Sequence, residues 1–232
     1  VTKFFDANGN EITTINIPDN ITSIGASAFS GCTSITSVNI SNNVTIIGNK
    51  AFINCKSLSS IKLPENTSYT IMASSLLDGC SNLQSIEIPK YITTISANAL
   101  ANCNFENLYI PSNVKYIGGG AFANSCNLKS ITISEGVEFI GNQFLRSAPI
   151  EEIIIPNSTI TLDEACLHYC PNLKKITIGK GVTKIPLKML YATEKVEEIT
   201  IKGNITEIGS SAFADVRSLK KLDMNWKNIT KI

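Results

Sequence analysis

The phrase "SIGASAFSGC" at residues 23–32 returns as "IIGNKAFINC" at 46–55, "YIGGGAFANSC" at 116–126 and "EIGSSAFADV" at 207–216. The large apolar residue of each Ala-Phe pair serves as an anchor. The equivalent positions are Phe29, Phe52, Leu77, Leu100, Phe122, Leu145, Leu167, Leu190 and Phe213, separated by 23, 25, 23, 22, 23, 22, 23 and 23 residues. A period in the twenties sustained over nine copies marks a solenoid, in which each repeat is one coil. One coil cannot bury its own apolar face, so stacking is obligatory and the phrase must recur.

Between anchors runs a second phrase: apolar, two variable, apolar, one variable, apolar, often followed by Pro. It reads Ile12-Ile15-Ile17-Pro18, Leu58-Ile61-Leu63-Pro64, Leu83-Ile86-Ile88-Pro89 and Ile150-Ile153-Ile155-Pro156 in four of its copies. The last apolar-x-apolar step has period two and predicts a short strand. Pro, lacking an N–H, stops it. An apolar-Thr-x-apolar-Gly unit follows, as in "ITSIG", "VTIIG" and "ITEIG". Glycine at that corner suits a left-handed turn. Ala-Phe-x-x-Cys then reads as a single helical turn with Phe and Cys inward. Nine or ten such coils about 4.8 Å apart give a body about 45 Å long.

These two phrases resemble the leucine-rich repeats of the BspA-like, or Treponema pallidum, type: Leu-x-x-Ile-x-Ile-Pro, then Val-x-x-Ile-Gly-x-x-Ala-Phe-x-x-Cys. The resemblance runs from about residue 12 to 232. It implies one solenoid domain over 1–232, a right-handed superhelix of nine to ten repeats of roughly 23 residues, built of short parallel strands, turns and short helical turns. Residues 1–11 form a lead-in or partial cap in which Phe4 and Phe5 cover the first coil, and the last repeat is incomplete. A solenoid end needs a polar cap, so the native protein is expected to continue past Ile232 or to be covered there by a partner. Proteins of this type are mostly surface-exposed or secreted products of host-associated bacteria and some protist parasites, and several look like adhesins. The function implied is a non-catalytic extracellular or cell-surface module that recognises a host or microbial surface protein or glycan. A structural spacer within a larger surface protein, or an accessory module of a secreted enzyme, are the alternatives.

Some copies depart from the pattern. "NQFLRSA" has Phe144-Leu145 for Ala-Phe and Ala148 in the Cys place; Pro186 stands where Gly is expected; residues 66–77 carry a two-residue insertion. Each departure is expected to bend the stack locally.

Composition narrows the function classes. Net charge is +1 over 232 residues and there is no basic stripe, which argues against a nucleic-acid partner. No apolar run approaches the ~20 residues of a membrane span. No phosphate loop, dinucleotide fingerprint or metal cluster is visible, and neither a cofactor nor a metal is expected.

Of seven cysteines, Cys32, Cys55, Cys80, Cys103 and Cys170 share one repeat position; Cys126 is displaced by one, with Ser125 in the slot, and Cys166 takes the Ala position. One reading is a metal or redox site, the other an inward line of free thiols acting as small hydrophobes. The repeat alone demands the second. His168 is the only histidine, so a Ser-His or Cys-His pair would have to use it. Sequons at Asn20, Asn39, Asn43, Asn66, Asn157, Asn204 and Asn228 fit glycosylation, or arise simply from the Asn-Val/Ile-Thr stretch of the repeat.

The outward column of the strand phrase is the expected ligand face, the concave sheet of a leucine-rich repeat. Lys62, Glu87, Tyr109, Thr132 and Ile154 occupy consecutive rungs of it. Its chemistry passes from basic to acidic to aromatic to apolar, while flanking rungs hold Asn and Thr. An alternative apolar patch, Ile46, Ile71, Tyr116 and Phe139, lies on the second extended piece and is either exposed or core. The alternation Glu151-Glu152, Lys174-Lys175, Glu197-Glu198, Lys220-Lys221 reads as a salt-bridge ladder between coils rather than a docking strip.

Overall fold

A computed structural model describes residues 4–232. The chain winds into a parallel-strand solenoid with two strand-bearing faces and a run of turns between them. The front face carries Thr14–Ile17, Ser37–Ile40, Ser60–Lys62, Asn107–Ile110, Ser130–Ile133, Glu152–Ile155, Lys175–Ile178, Glu198–Ile201 and Lys221–Asp223. The back face carries a two-residue strand per coil, from Ser23–Ile24 to Glu207–Ile208. Period-two burial holds on the front: in Asn107–Ile110, Leu108 and Ile110 are buried while Asn107 and Tyr109 are exposed.

The anchors form the spine of the core. Phe52, Leu77, Leu100, Phe122, Leu145, Leu167 and Leu190 are all fully buried. At the start of the stack, Phe29 and Phe52 lie face to face with centroids 5.2 Å apart. Phe4, on a short strand Phe4–Phe5 paired antiparallel with Glu11–Ile12, packs on Phe29 at 6.3 Å. Phe5 points outward, 57% exposed, so only Phe4 covers the first coil.

The expected helical turn is not formed; the described residues contain no α-helix. In every coil the residues two before and two after the anchor have left-handed backbone, with φ between 52° and 78°, and only Gly31, Gly79 and Gly120 among these positions are glycine. Alternating right- and left-handed residues turn successive N–H groups in opposite directions. The Ala28, Ser30 and Cys32 N–H groups donate back to the carbonyls of Gly25, Ser27 and Phe29 within the turn. Those of Ser27, Phe29 and Gly31 donate instead to Asn49, Ala51 and Ile53 of the next coil, at 2.9, 2.8 and 2.8 Å. A helix would have kept all these bonds inside one coil. A left-handed L-residue costs about 1–2 kcal/mol, and the bonds to the adjacent coil offset it.

The corner glycine also differs from expectation. Gly25, Gly48, Gly118, Gly141 and Gly209 are absent from the left-handed residues. Their reason is close approach: a Cβ on Gly118 would lie 2.5 Å from the Ala97 nitrogen of the preceding coil. On Gly25, in the first coil, it would meet nothing within 4 Å. Ala73, Ser96, Asp163 and Pro186 fill the same place in other coils, so the preference is steric and not absolute.

The shared cysteine position has a bonding role beyond its size. Cys55 Sγ donates to the Phe29 carbonyl at 3.0 Å, Cys80 to Phe52 at 3.2 Å, Cys103 to Leu77 at 3.3 Å and Cys170 to Leu145 at 3.4 Å. Each thiol therefore reaches the anchor carbonyl of the coil beneath. In the Leu190 coil the slot holds Thr193, and its hydroxyl makes the same bond to Leu167 at 2.9 Å. Burial pushes the thiols up, to about 11 for Cys55 and about 12 for Cys103. All seven cysteines are free, and Cys126 alone is exposed.

The sheets break where the sequence departs from its period. On the back face most coils donate an N–H to the coil before them, as Gly48 to Ile24 at 2.9 Å and Gly209 to Ile185 at 2.8 Å. The ladder stops between Ile46–Ile47 and Ile71–Met72, across the two-residue insertion. It stops again between Thr161–Leu162 and Lys184–Ile185, where Pro186 has no N–H to give. On the front, the 22-residue spacings at Phe122 and Leu167 remove one residue from the turn before the strand. There Asn107–Ile110 and Glu152–Ile155 lose their pairing with the preceding coil. Residues 85–88, which carry the strand phrase, pair with neither neighbour.

Four outcomes are expected. Thr193→Val, which leaves the Leu167 carbonyl and the Cys170 N–H without the hydroxyl, costs about 1–3 kcal/mol in urea unfolding, whereas Thr193→Cys largely retains the wild-type value. Gly118→Val costs about 1–3 kcal/mol and Gly25→Val less than about 0.5 kcal/mol. A thiol reagent labels Cys126 at once and the buried thiols only on unfolding. Because the unfolded chain ionises these thiols from about pH 9 and the folded chain holds Cys55 protonated to about 11, stability falls as pH rises through that window.

Candidate binding face

Tyr109 sits mid-strand in Asn107–Ile110, its neighbours Leu108 and Ile110 turned inward, which fixes its ring outward at 61% exposure. Its register partner is Thr132. Ile154, in Glu152–Ile155, is 57% exposed and lies opposite Thr177. Lys62 is exposed at the end of Ser60–Lys62, opposite Asn39. Glu87 is exposed in the unpaired stretch 85–88. The five expected residues thus share the front, but not one unbroken column. Only Tyr109 and Thr132 are joined by the ladder; breaks separate Lys62 from Glu87, Glu87 from Tyr109, and Thr132 from Ile154.

The break beside Tyr109 opens a hollow of about 440 Å³ whose lining includes Glu65, Glu87, Lys90 and Tyr109. Sequence reasoning missed Glu65 and Lys90, because both lie on Pro-containing turns outside the strand phrase. Across the same break, a second hollow of about 580 Å³ is walled by Ser85, Asn104, Asn107 and Lys129.

Elsewhere on the front, four pairs of opposite charges on adjacent coils neutralise one another. Glu106 meets Lys129 at 2.6 Å, Glu151 meets Lys174 at 3.0 Å, Glu197 meets Lys220 at 2.8 Å and Glu198 meets Lys175 at 3.9 Å. The ammonium of Lys129 holds the Glu106 carboxyl below the usual range, and Lys220 does the same for Glu197. Lys62 and Glu87 stand on consecutive coils in the same way. With the strand between them unpaired, neither makes an ion pair among the described residues.

The second extended piece is exposed, not core. Ile46 is 64%, Ile71 53% and Tyr116 41% exposed, and Phe139 is half-buried. Tyr116 and Phe139 stack at 4.5 Å, 4° from parallel. Ile160 is also exposed, and its N–H donates to the Glu138 carbonyl of the preceding coil at 2.9 Å. Its signal was the interruption of the Thr22, Thr45, Thr70, Thr93 column, in which Thr45 donates to the Thr22 carbonyl and Thr93 to the Thr70 carbonyl, each at 3.3 Å. The apolar residues form two patches rather than one, since Thr94 separates Ile71 from Tyr116 in the register.

Other chemistry-bearing residues are occupied structurally. His168 packs against Tyr169 and Tyr191, at 4.4 and 5.5 Å, and its Nδ1 is buried without a partner. Burial, aided by Arg146 and Lys188, lowers its basicity. Cys166 is fully buried and its thiol pushed up to about 12, the opposite of an activated nucleophile. The sequon amides of Asn39, Asn43 and Asn66 donate to the coil beneath, Asn66 to both the Asn42 and Val44 carbonyls at 2.8 Å. A glycan on such a nitrogen would remove those ties.

Comparison with known proteins agrees with this geometry. The profile of the BspA type leucine rich repeat region matches residues 2–126 and 117–232. Among curated proteins none matches the chain. Among solved structures, a leucine-rich repeat protein from Bacteroides ovatus ATCC 8483 superposes with TM-score 0.61 at 21% identity, over 97% of this chain and 81% of the other. One from Eubacterium ventriosum ATCC 27560 gives 0.54 at 20%, over 92% and 73%. The T. pallidum leucine rich repeat protein gives 0.53 at 17%, over 94% and 87%. At these identities the likeness speaks for the fold. With the profile spanning both halves of the solenoid, the chain belongs to the BspA-type leucine-rich-repeat family.

Proposed function

We propose that this chain is a non-catalytic binding module, displayed on a cell surface or secreted, that holds a protein or glycan of a host or another microbe against its front sheet around Tyr109. The observation that carries the reading is the pairing of an exposed tyrosine and an exposed isoleucine with local opening of the sheet. Tyr109 and Ile154 are 61% and 57% exposed on a face whose other outward residues are Ser, Thr, Asn and charged side chains. Each lies on a strand that has lost its pairing with the coil before it. A stack held only by coil-to-coil bonding gains nothing from those two side chains. An exposed aromatic ring in a rigid setting is a low-entropy anchor for a partner.

The back face supports a second reading, because Tyr116 and Phe139 stack at its surface. A spacer, or an accessory module of a secreted enzyme, is the competing class, and it requires neither face to matter.

A scan of the purified protein against panels of matrix proteins, surface proteins and glycans tests the reading. For the partner found, Tyr109→Ala is expected to cost more than about 1 kcal/mol of binding, while Thr177→Ala and Thr200→Ala cost little. Silent front-sheet substitutions, with loss on Tyr116→Ala or Phe139→Ala, would move the site to the back face. Indifference of both faces to every substitution would leave the spacer.

A further inference from the structure

We infer that the hollow between Glu65, Glu87 and Tyr109 seats a basic side chain, Lys or Arg, presented by a partner protein. This rests on the front-sheet reading above and names the chemistry that the site selects. The two carboxylates are the first ground. Four front-sheet glutamates, Glu106, Glu151, Glu197 and Glu198, each have a lysine of a neighbouring coil within 4.0 Å. Glu65, Glu87 and Glu152 have none among the described residues, and of these Glu65 and Glu87 line one hollow. The Glu65 backbone is held by its N–H to Asn42 Oδ1 at 2.9 Å, which leaves the side chain free above a fixed point.

The lining also holds one cation, Lys90, turned toward a neighbouring ring. Lys90 Nζ lies 5.1 Å from the centroid of the Tyr91 ring. The lining thus carries two carboxylates against one ammonium, a net negative charge, beside the exposed ring of Tyr109, whose face attracts a cation. Its volume of about 440 Å³ lies at the lower end of the usual range of ligand sites, about 300–1,000 Å³. The unpaired backbone of 85–88 adds donors and acceptors that a partner's main chain can meet. Two acids at an aromatic wall complement a guanidinium or ammonium better than an uncharged sugar, which needs no net charge opposite it.

The test uses the whole chain and the pentapeptide Gly-Ser-Arg-Ser-Gly, capped at both ends, with its Lys and Gln counterparts as probes. Amide and aromatic chemical-shift mapping reads the site. The Arg and Lys peptides are expected to shift Tyr109 and residues 85–88, the Gln peptide not to. Glu65→Gln with Glu87→Gln weakens the Arg peptide by at least about fivefold, and added salt weakens it further. Glu152→Gln, a front-sheet acid outside the hollow, leaves it unchanged, and thermal melts confirm that the variants remain folded. Equal binding of the Gln peptide, or indifference to the double substitution, would overturn the inference. So would shifts of Tyr109 by neutral oligosaccharides but not by the basic peptides; that result would leave the front-sheet reading standing. If basic peptides bind as expected but Tyr109→Ala is silent toward the partner found by the panel scan, the seat is real and the wider reading falls.

Discussion

The backbone hydrogen bond from one coil to the next is the constraint on which the rest depends. Both faces and the turn between them are held by it, and no helix supplies bonds within a coil. The turn shows how far the chain goes to make it. Two residues per coil adopt left-handed backbone, most of them not glycine, so that alternate N–H groups face the next coil. An inward side chain at one fixed place then adds a further bond, Cys Sγ or Thr193 Oγ1 to the anchor carbonyl below. Size alone does not select that slot: a small apolar residue packs there, as Ala148 does, but leaves a carbonyl lone pair unused.

Side-chain bonding follows the same vertical logic. Thr hydroxyls donate down the back face, Asn amides donate at the Pro turns, and Lys–Glu pairs span the front. Each exposed ion pair contributes little, about 0–1 kcal/mol. Their effect is on what remains unpaired. Where an insertion or deletion interrupts the ladder, Lys62 and Glu87 on consecutive coils make no ion pair among the described residues, and Glu87 faces the hollow beside Tyr109.

The fold was legible because the anchors Phe29 to Phe213 recur at nearly fixed spacing and the strand phrase has an unmistakable period of two. Two local features are not legible for one physical reason: the neighbouring coil decides what a single coil leaves open. Ala-Phe-x-x-Cys has helical spacing, but its N–H groups find better partners next door. Gly118 looks like a left-handed corner, but its role is to let the Ala97 nitrogen come close. The front column was visible as five residues, and its interruptions were present in the spacings 25, 22 and 22. What could not be read was the consequence in three dimensions, a hollow that recruits Glu65 and Lys90 from turns outside the phrase.

The single-residue deletions and the insertion thus decide where the front sheet opens, and the opening shapes the candidate site. Hydrogen–deuterium exchange resolved along the chain tests this directly. Residues 85–88 are expected to exchange at loop-like rates while 130–133, of the same phrase and length, remain protected by their pairing with Asn107–Ile110. Equal protection of the two segments would mean that the ladder runs through the fourth coil unbroken, and would contradict the account.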